Sequence, residues 1–263
     1  MGKSAVITGA TSGLGSAFAR KLASLGFNLL LTGRRKEIIE PLAEDLAHRT
    51  GVEIEVVLGN LEGEDDLREV VAAVKKREDI EYLINNAGFG INLPFLESSL
   101  EREKEMIKVH VIAPLELIHA VIPGMIKNNR GHIINVSSLA AFLPAIKNCS
   151  YSGTKSFLTL FSESLHLELV NKGIKVQALC PGFIRTDFHQ RVDFAQGEWE
   201  RLQRYYWMKP EDVVDTSLSC LKKNQVICIP GFLNQLGRRL ISVIPRKLLY
   251  KLLTASIQNA ERH

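Results

Sequence analysis

The sequence of 263 residues is poor in cysteine, with four in all, and their spacing matches no metal-binding pattern. Cys149, Cys180, Cys220 and Cys228 include no CxxC pair and have no histidine nearby at zinc spacing. Scattered cysteines of this kind favour reduced thiols, as found in cytoplasmic proteins. We therefore predict no metal site and a cytoplasmic location.

The sequence also has little that would direct it to a membrane or out of the cell. It begins Met1-Gly2-Lys3-Ser4 and continues directly into an apolar segment, which leaves no room for a signal peptide. A myristoylation motif at Gly2 would require Ser or Thr where this chain has Val6. We find no stretch that approaches the roughly 20 apolar residues of a membrane-spanning helix.

Acidic residues are scarce at the C-terminal end, which carries the whole excess of positive charge. The net charge is +4, while residues 232–263 contain six basic residues against the single acid Glu261. The rest of the chain is about neutral and gives no indication of nucleic-acid binding. The basic residues of the segment are Arg238, Arg239, Arg246, Lys247, Lys251 and Arg262.

Within this C-terminal segment, residues 236–253 alternate apolar clusters with basic side chains. Basic amphipathic segments lie on anionic membrane surfaces, act as partner helices or fold back over a cleft. Pro245 is expected to break or kink a continuous helix. We predict residues 232–263 as an extension packed on the domain or on a partner surface, with peripheral membrane contact as an open alternative.

The remainder of the chain, residues 1–231, alternates short β-branched runs with longer amphipathic ones. This alternation is typical of βαβ units, and right-handed crossovers then place helices on both faces of a parallel sheet. We therefore predict a single α/β domain with a doubly wound, Rossmann-type parallel sheet of seven strands. The predicted strands are 4–8, 28–32, 53–58, 82–85, 132–136, 175–179 and 226–229. The predicted helices are 14–25, 36–49, 64–77, 100–127, 151–171 and 210–222.

One irregular region follows the sixth predicted strand, from Phe183 to about Lys209. It is rich in aromatic residues and longer than a connection within the sheet requires. We interpret it either as a substrate lid or as an insertion that packs on its own domain. Phe183 and Phe188 are its candidate substrate-contacting residues.

A glycine-rich loop follows the first predicted strand and opens the first helix. Its glycines permit a tight turn and close approach of the backbone to a pyrophosphate. The helix N-terminus beyond it offers unpaired N–H groups to the same anion. We therefore predict a dinucleotide site whose contacts from this loop are Gly9, Thr11, Ser12, Gly13, Leu14 and Gly15.

The end of the second predicted strand indicates which dinucleotide the loop would hold. An acidic residue there would bond the ribose hydroxyls of NAD and repel a 2′-phosphate. This chain has Arg34 and Arg35 instead, and a guanidinium grips a phosphate through a bidentate fork. The pattern predicts NADP as the cofactor.

Tyr151 and Lys155 are candidates for proton transfer, because residues four apart project from one face of a helix. The ordinary pKa of a tyrosine, about 10, makes it a poor proton carrier at neutral pH. A nearby ammonium favours the phenolate, so we expect Lys155 to lower the pKa of Tyr151. The pair would then act as general acid and base near neutral pH.

Five motifs in order resemble the short-chain dehydrogenase/reductase family over about residues 4–190. They are the glycine loop, Asn85-Asn86-Ala87-Gly88, Asn135-Val136-Ser137-Ser138, Tyr151-Ser152-Gly153-Thr154-Lys155, and residues 181–186, PGFIRT. The resemblance implies the strand order 3-2-1-4-5-6-7 and pairing of subunits through the helices at 100–127 and 151–171. It also implies that Ser138 bonds the substrate oxygen and that Lys155 holds the nicotinamide ribose. The other cofactor contacts implied are Asn60 and Leu61 at the adenine, Asn86, Ala87 and Gly88 along the ribose, and Pro181, Gly182, Ile184 and Thr186 towards the nicotinamide.

The sequence departs from the family at His110, which stands where the family has a catalytic asparagine in the context VNxxAP. The family's asparagine acts partly through its backbone carbonyl, which His110 retains. A neutral imidazole would also extend a proton relay. The alternative is an inert histidine at a helix kink, and both interpretations stay open.

The sequence therefore predicts an enzyme that transfers a hydride between NADP(H) and a carbonyl or secondary alcohol. The aromatic region after Gly182 favours an apolar ketone of fatty-acyl, steroid-like or polyketide-like type. A hypothesis of another class is a non-catalytic NADP-binding module that gates a protein partner, for which the His110 replacement is the one supporting feature. We expect a homo-oligomer, a dimer or a tetramer.

Overall fold

The computed structural model of the chain describes residues 2–11, 13–185 and 207–260. Its centre is a seven-stranded sheet in the order β3-β2-β1-β4-β5-β6-β7, with all neighbouring strands parallel. This confirms the doubly wound α/β fold and the strand order. The strands are β1 (Ser4–Thr8), β2 (Asn28–Gly33), β3 (Ile54–Leu58), β4 (Ile80–Asn85), β5 (Gly131–Val136), β6 (Ile174–Leu179) and β7 (Ile227–Cys228).

Helices cover both faces of the sheet, and each face has its own buried apolar cluster. Phe18 is a large buried side chain on the face covered by α1, α2 and α7, while Leu117 and Met125 lie on the face covered by α3, α5 and α6. The helices are α1 (Gly13–Ser24), α2 (Lys36–Thr50), α3 (Glu64–Lys75), α4 (Leu100–Ile107), α5 (Ala113–Lys127), α6 (Cys149–Leu169), α7 (Pro210–Lys222), α8 (Phe232–Val243) and α9 (Arg246–Ala260).

The predicted long helix at residues 100–127 is interrupted by one π-helical turn, Lys108–Ile112, between α4 and α5. The most apolar stretch of 18 residues within Leu100–Lys127 has a mean hydropathy of 1.7. By length and composition alone, this segment could therefore span a bilayer. The expectation that no stretch approaches this length was therefore wrong. Close to half of that 18-residue stretch, 44%, is buried inside the fold, and packing of α5 against the sheet accounts for its apolar character.

The C-terminal segment forms two helices, as the proline between them requires. The first, α8, ends at Val243, and α9 begins at Arg246, directly after Pro245. Leu249 of α9 is buried.

Most of the aromatic region after β6 falls outside the described residues, including Phe188 and Thr186. Its two ends meet in a parallel bridge between Ile184 and Met208. The interpretation as a substrate lid stays a prediction.

Candidate functional site

A cleft of about 400 Å³ lies at the carboxyl ends of the central strands, where open α/β sheets bind ligands. The structure brings most of the predicted site residues together along its walls. These are Gly9, Thr11, Gly13, Leu14, Arg34, Arg35, Asn60, Leu61, Asn86, Ala87, Gly88, His110, Ser138, Tyr151, Lys155, Pro181, Gly182 and Ile184. Gly15 and Phe183 do not line the cleft, and Ser12 lies outside the described residues.

The glycine loop has the backbone geometry that its glycines predict. Gly9 and Gly13 adopt positive φ angles of 66° and 51°, in the left-handed region that favours glycine. Gly15 does not face the cleft, but a Cβ there would lie 2.3 Å from the carbonyl oxygen of Gly9. The N-terminus of α1 lines the cleft at Gly13 and Leu14 and has no acidic side chain in its first turn. The loop and helix therefore fit a dinucleotide pyrophosphate.

The loop after β4 is tied to the glycine loop by Asn86 and Thr8. The Asn86 side-chain amide donates to the carbonyl oxygens of Thr8 and Gly9 at 2.9 and 3.0 Å. The Thr8 hydroxyl oxygen in turn accepts the backbone N–H groups of Asn86 and Ala87, both at 3.0 Å. Asn86 therefore holds the two cofactor loops in register.

The end of the cleft formed by β2 and β3 carries a network of charged side chains. Arg34 and Arg102 both contact the Oε1 atom of Glu62, at 3.0 and 3.3 Å, and the Glu62 side chain is only 13% exposed. Arg102 also lies over the Phe89 ring, 3.9 Å from its centroid. Arg35 instead donates to the carbonyl and hydroxyl oxygens of Thr11, at 2.9 and 3.0 Å. Arg34 is therefore the guanidinium placed at the rim of the cleft, and Arg35 supports the glycine loop.

Asn60, predicted to lie at the adenine, lines the same end of the cleft beside Leu61. Its side-chain amide donates to Glu62 Oε2 at 3.1 Å, and its side-chain oxygen accepts the Glu62 backbone N–H at 3.3 Å. That oxygen has a second lone pair to offer to a ligand amino group.

Sequence analysis missed Glu62 and Arg102, which line the cleft together with Phe89. No motif contains them, and Arg102 is 40 positions from Glu62 along the chain. Only the fold brings Arg102 of α4 into contact with Glu62 in the loop after β3. The sequence shows that the acidic Glu62 directly follows the predicted adenine contacts Asn60 and Leu61, but it does not predict the contact of Glu62 with Arg34.

Helix α6 is held against the end of β5 by buried polar contacts. Lys155 Nζ donates to the carbonyl oxygen of Val136 at 2.9 Å, and the Ser137 hydroxyl donates to the carbonyl oxygen of Lys155 at 2.8 Å. Two turns further along α6, the Asn135 side-chain amide donates to Ser162 Oγ at 2.9 Å. These bonds fix the distance between the strand that carries Ser138 and the helix that carries Tyr151.

The three predicted catalytic side chains lie together at this junction. Ser138, Tyr151 and Lys155 all line the cleft, and Lys155 Nζ lies 5.6 Å from the centroid of the Tyr151 ring. Ser138 Oγ also accepts the backbone N–H of Ala140 at 3.1 Å, which fixes its orientation. The arrangement is able to pass a proton to an oxygen placed between the serine and tyrosine hydroxyl groups.

The pKa of Tyr151 departs from the sequence expectation. Burial raises it above its ordinary value, and the hydrogen bond from Ser138 only partly opposes this rise. Burial also lowers the pKa of the Lys155 ammonium to about 8. The expected lowering of the tyrosine pKa by Lys155 is not found, because desolvation of the buried phenol dominates.

His110 is buried and hydrogen-bonded through both ring nitrogens. Nε2 accepts the backbone N–H of Phe89 at 3.1 Å, and Nδ1 lies 3.0 Å from Thr154 Oγ1. These partners define a neutral ring with its proton on Nδ1, since Nε2 must be free to accept. Burial, and secondarily the charge of Lys155, lower the pKa of His110 well below its usual range. The ring links the loop after β4 to α6, and a relay would require one of these two bonds to be exchanged.

The model of the family described as short chain dehydrogenase matches residues 3–196. The chain belongs to this family. The fold, the glycine loop and the grouping of Ser138, Tyr151 and Lys155 agree with that membership. The members of this family are oxidoreductases that act on small-molecule carbonyl compounds.

Among curated proteins, the chain is similar to a 3-oxoacyl-(acyl-carrier-protein) reductase of Aquifex aeolicus, with 36% identity over 82% of this chain and 89% of the relative. It is also 31% identical to the human inactive hydroxysteroid dehydrogenase-like protein 1, over 81% of this chain. The aligned part covers only 63% of that human protein.

Among solved structures, the chain resembles a short-chain dehydrogenase from Sphingobium yanoikuyae in complex with NADPH. The two are 30% identical, with a TM-score of 0.80, over 92% of this chain and 96% of the other. The likeness extends beyond the family match at residue 196, and it therefore includes part of the C-terminal third of the chain.

The buried neutral His110 predicts a specific pH dependence of stability. Below pH about 6.5 the unfolded chain binds a proton at this position that the folded chain does not, so the free energy of unfolding falls as the pH falls. We expect His110→Asn to reduce the slope of the free energy of unfolding against pH by about 1.4 kcal/mol per pH unit between pH 6 and 5.

The measurement is urea unfolding at a series of pH values, with the exposed His119 changed to Asn as the control. His119→Asn should leave the slope as in the wild type. An unchanged slope in His110→Asn would contradict the buried neutral state of this ring.

Proposed function

We propose that the protein is an NADP(H)-dependent reductase of apolar ketones. The observation that carries the proposal is the grouping of Ser138, Tyr151 and Lys155 on a cleft that begins at the glycine loop, with Lys155 Nζ 5.6 Å from the centroid of the Tyr151 ring. Each group has a defined role in moving a proton to a carbonyl oxygen. The residues of the cleft fit a nicotinamide dinucleotide, which supplies the hydride when bound.

In the proposed mechanism Ser138 and Tyr151 bind the carbonyl oxygen of the substrate through their two hydroxyl groups. The raised pKa of Tyr151 keeps its phenol protonated at neutral pH, which is the form required of the acid in a reduction. Tyr151 then donates its proton as negative charge develops on the oxygen. Oxidation of an alcohol reverses these steps.

Lys155 supports the tyrosine from the buried side of the cleft. Its ammonium is held by the carbonyl oxygen of Val136 and stabilises the phenolate left after proton donation. Because burial lowers the pKa of Lys155 to about 8, the ammonium is mostly charged at pH 7 and loses its charge above pH 8. Reduction is therefore favoured at neutral pH and weakened in alkaline solution.

The preference for NADP rests on Arg34. Its side chain is half exposed at the rim of the cleft and meets the carboxylate of Glu62, so a 2′-phosphate would replace that carboxylate as its anionic partner. Arg102, which shares Glu62, adds a second positive charge nearby. The related dehydrogenase from Sphingobium yanoikuyae was solved with NADPH.

The substrate is proposed to be an apolar carbonyl compound of fatty-acyl, steroid-like or polyketide-like type. The rings of Phe183 and Trp207 stack at 6.1 Å where the two ends of the aromatic region meet, close to Gly182 on the cleft wall. One of the relatives is named as a reductase of 3-oxoacyl groups. We propose the cytoplasm as the location of the reaction.

We also propose that two copies pair through the helices α4, α5 and α6. The exposed side of this group is apolar, with Leu160 and Leu167 of α6 exposed by 66% and 76% and Phe157 by 40%. Pairing of helix faces of this kind would remove these side chains from water. The same pairing was expected from the family resemblance.

A second candidate is a non-catalytic NADP-binding module that gates a protein partner. It is favoured by His110, whose ring nitrogens both bind protein groups, and by a relative named as inactive. The intact group of Ser138, Tyr151 and Lys155 favours the enzyme. Loss or retention of turnover distinguishes the two.

For the reaction, we expect wild-type protein to oxidise NADPH in the presence of apolar ketones and Tyr151→Phe to lose at least about 100-fold in kcat, since general acid catalysis contributes this much. The variant should bind NADPH with unchanged affinity, because the phenyl ring keeps its packing. Absorbance of NADPH with a panel of ketones measures turnover, and fluorescence measures binding. Turnover that survives the loss of the phenol would refute the mechanism, and no turnover with any ketone would favour the binding module.

For the cofactor, we expect Glu62→Gln to bind NADPH about threefold to tenfold more tightly, because the variant releases Arg34 from a competing carboxylate. The affinity for NADH should change little. Glu105→Gln is the matched control, since Glu105 also contacts Arg102 but does not line the cleft. Fluorescence titration with both cofactors is the measurement. Equal tightening for NADH and NADPH would contradict recognition of the 2′-phosphate by Arg34.

A further inference from the structure

Helix α8 presents an apolar face to the surroundings. Phe232, Leu236, Leu240 and Val243 follow one another at helical spacing, so they lie on one side of the helix. Their exposed fractions are 76%, 42%, 57% and 76%, and the neighbouring Leu233 is exposed by 47%. Five large apolar side chains on one short helix form an exposed patch of the kind that marks an interaction surface.

The two C-terminal helices carry only positive charge. Residues 232–260 contain five basic side chains and no acidic one, and none of the five is in an ion pair with another described residue. Arg239 is exposed beside the apolar face of α8, and Arg246 and Lys247 are exposed where α9 begins. The apolar patch therefore lies within a surface of positive charge.

We propose that α8 and α9 bind the surface of an anionic lipid bilayer. An apolar helix face bordered by basic residues inserts among lipid headgroups, and each basic residue near such a surface adds to the attraction. A second copy of the chain is a poorer occupant, because a two-fold interface places a surface against itself. Such pairing would bring two sets of five positive charges together without an acid between them.

The proposed membrane face adjoins the substrate end of the cleft. On the inner side of α8, the Asn234 side chain packs closely on Gly182. A Cβ atom added to Gly182 would lie 2.8 Å from the side-chain amide nitrogen of Asn234. Arg238 lies over the ring of Phe142 at 5.1 Å, in the short 3-10 turn Leu139–Phe142 that directly follows Ser138. Protein bound to lipid through α8 would therefore hold its substrate entrance at the bilayer surface.

This position narrows the substrate class to carbonyl compounds that partition into lipid. A long-chain or polycyclic ketone would pass from the bilayer to Ser138 and Tyr151 without first dissolving in water. The inferred class of lipid-soluble substrates rests on the proposed reductase function, whereas the binding of α8 and α9 to a bilayer does not.

The test of lipid binding is flotation of the full chain with vesicles of phosphatidylcholine alone or with about one third phosphatidylserine. We expect binding to the anionic vesicles, weaker binding to the neutral ones, and partial release at high salt. Leu236→Glu/Leu240→Glu should lower the partition coefficient on anionic vesicles at least about tenfold, because two leucines no longer enter the lipid.

The matched control is Leu25→Glu/Leu58→Glu, which changes two leucines of similar exposure, 48% and 39%, away from the C-terminal helices. It should float like the wild type. Absence of flotation, or equal flotation of both double variants, would overturn the proposal. A further outcome would also overturn the proposal. If the wild type does not float but self-associates in light scattering, and only Leu236→Glu/Leu240→Glu abolishes this association, the apolar face of α8 binds a second copy of the chain.

The substrate class is tested by NADPH oxidation with 2-pentadecanone in anionic vesicles and with water-soluble cyclohexanone. We expect the ratio of the two rates to fall at least about tenfold in Leu236→Glu/Leu240→Glu, while the rate with cyclohexanone stays as in the wild type. An unchanged ratio would overturn the delivery of substrate from lipid. If neither ketone is reduced by the wild type, the reductase function fails, and flotation still decides the lipid binding.

Discussion

The contact on which the rest of the site depends is the attachment of α6 to the end of β5. Lys155 Nζ donates to the carbonyl oxygen of Val136, and the Ser137 hydroxyl donates to the carbonyl oxygen of Lys155. Both side chains are buried. A buried ammonium is costly unless it is bonded, so the bond to Val136 stabilises both the charge and the position of the helix. Ser138 and Tyr151 meet because this junction holds their backbones in place.

The same burial that holds the helix sets the acid–base properties of the site. Desolvation raises the pKa of Tyr151 and lowers those of Lys155 and His110. At neutral pH the phenol and the imidazole are therefore uncharged, while Lys155, with a pKa of about 8, is mostly charged. A protonated phenol suits the donation of a proton to a carbonyl oxygen. Around this centre, Asn86 joins the loops after β1 and β4, which keeps the cofactor side of the cleft aligned with the catalytic side.

The alternation of short β-branched and longer amphipathic runs predicted the α/β fold, and glycine spacing, helical periodicity and ordered motifs predicted the residues that gather at the cleft. The strand order was implied by the family resemblance. The sequence did not predict contacts made by the fold. Glu62 meets Arg34 because β2 and β3 are paired, and it meets Arg102 because the fold brings α4 near the loop after β3. The π-helical turn that carries His110 is only five residues long, too short to show a repeating pattern of apolar residues in the sequence. The direction of the tyrosine pKa depends on burial, which a sequence motif does not measure.

The most direct test of the proposed reductase function is to trace the transfer of hydride from NADPH to the ketone. The protein would be incubated with an apolar ketone and NADPH deuterated at the reactive C4 position of the nicotinamide, and the alcohol product analysed by mass spectrometry. The account predicts an alcohol with deuterium on the carbon that bears the new hydroxyl group. An alcohol without deuterium at that carbon, or no alcohol from any apolar ketone, would contradict it.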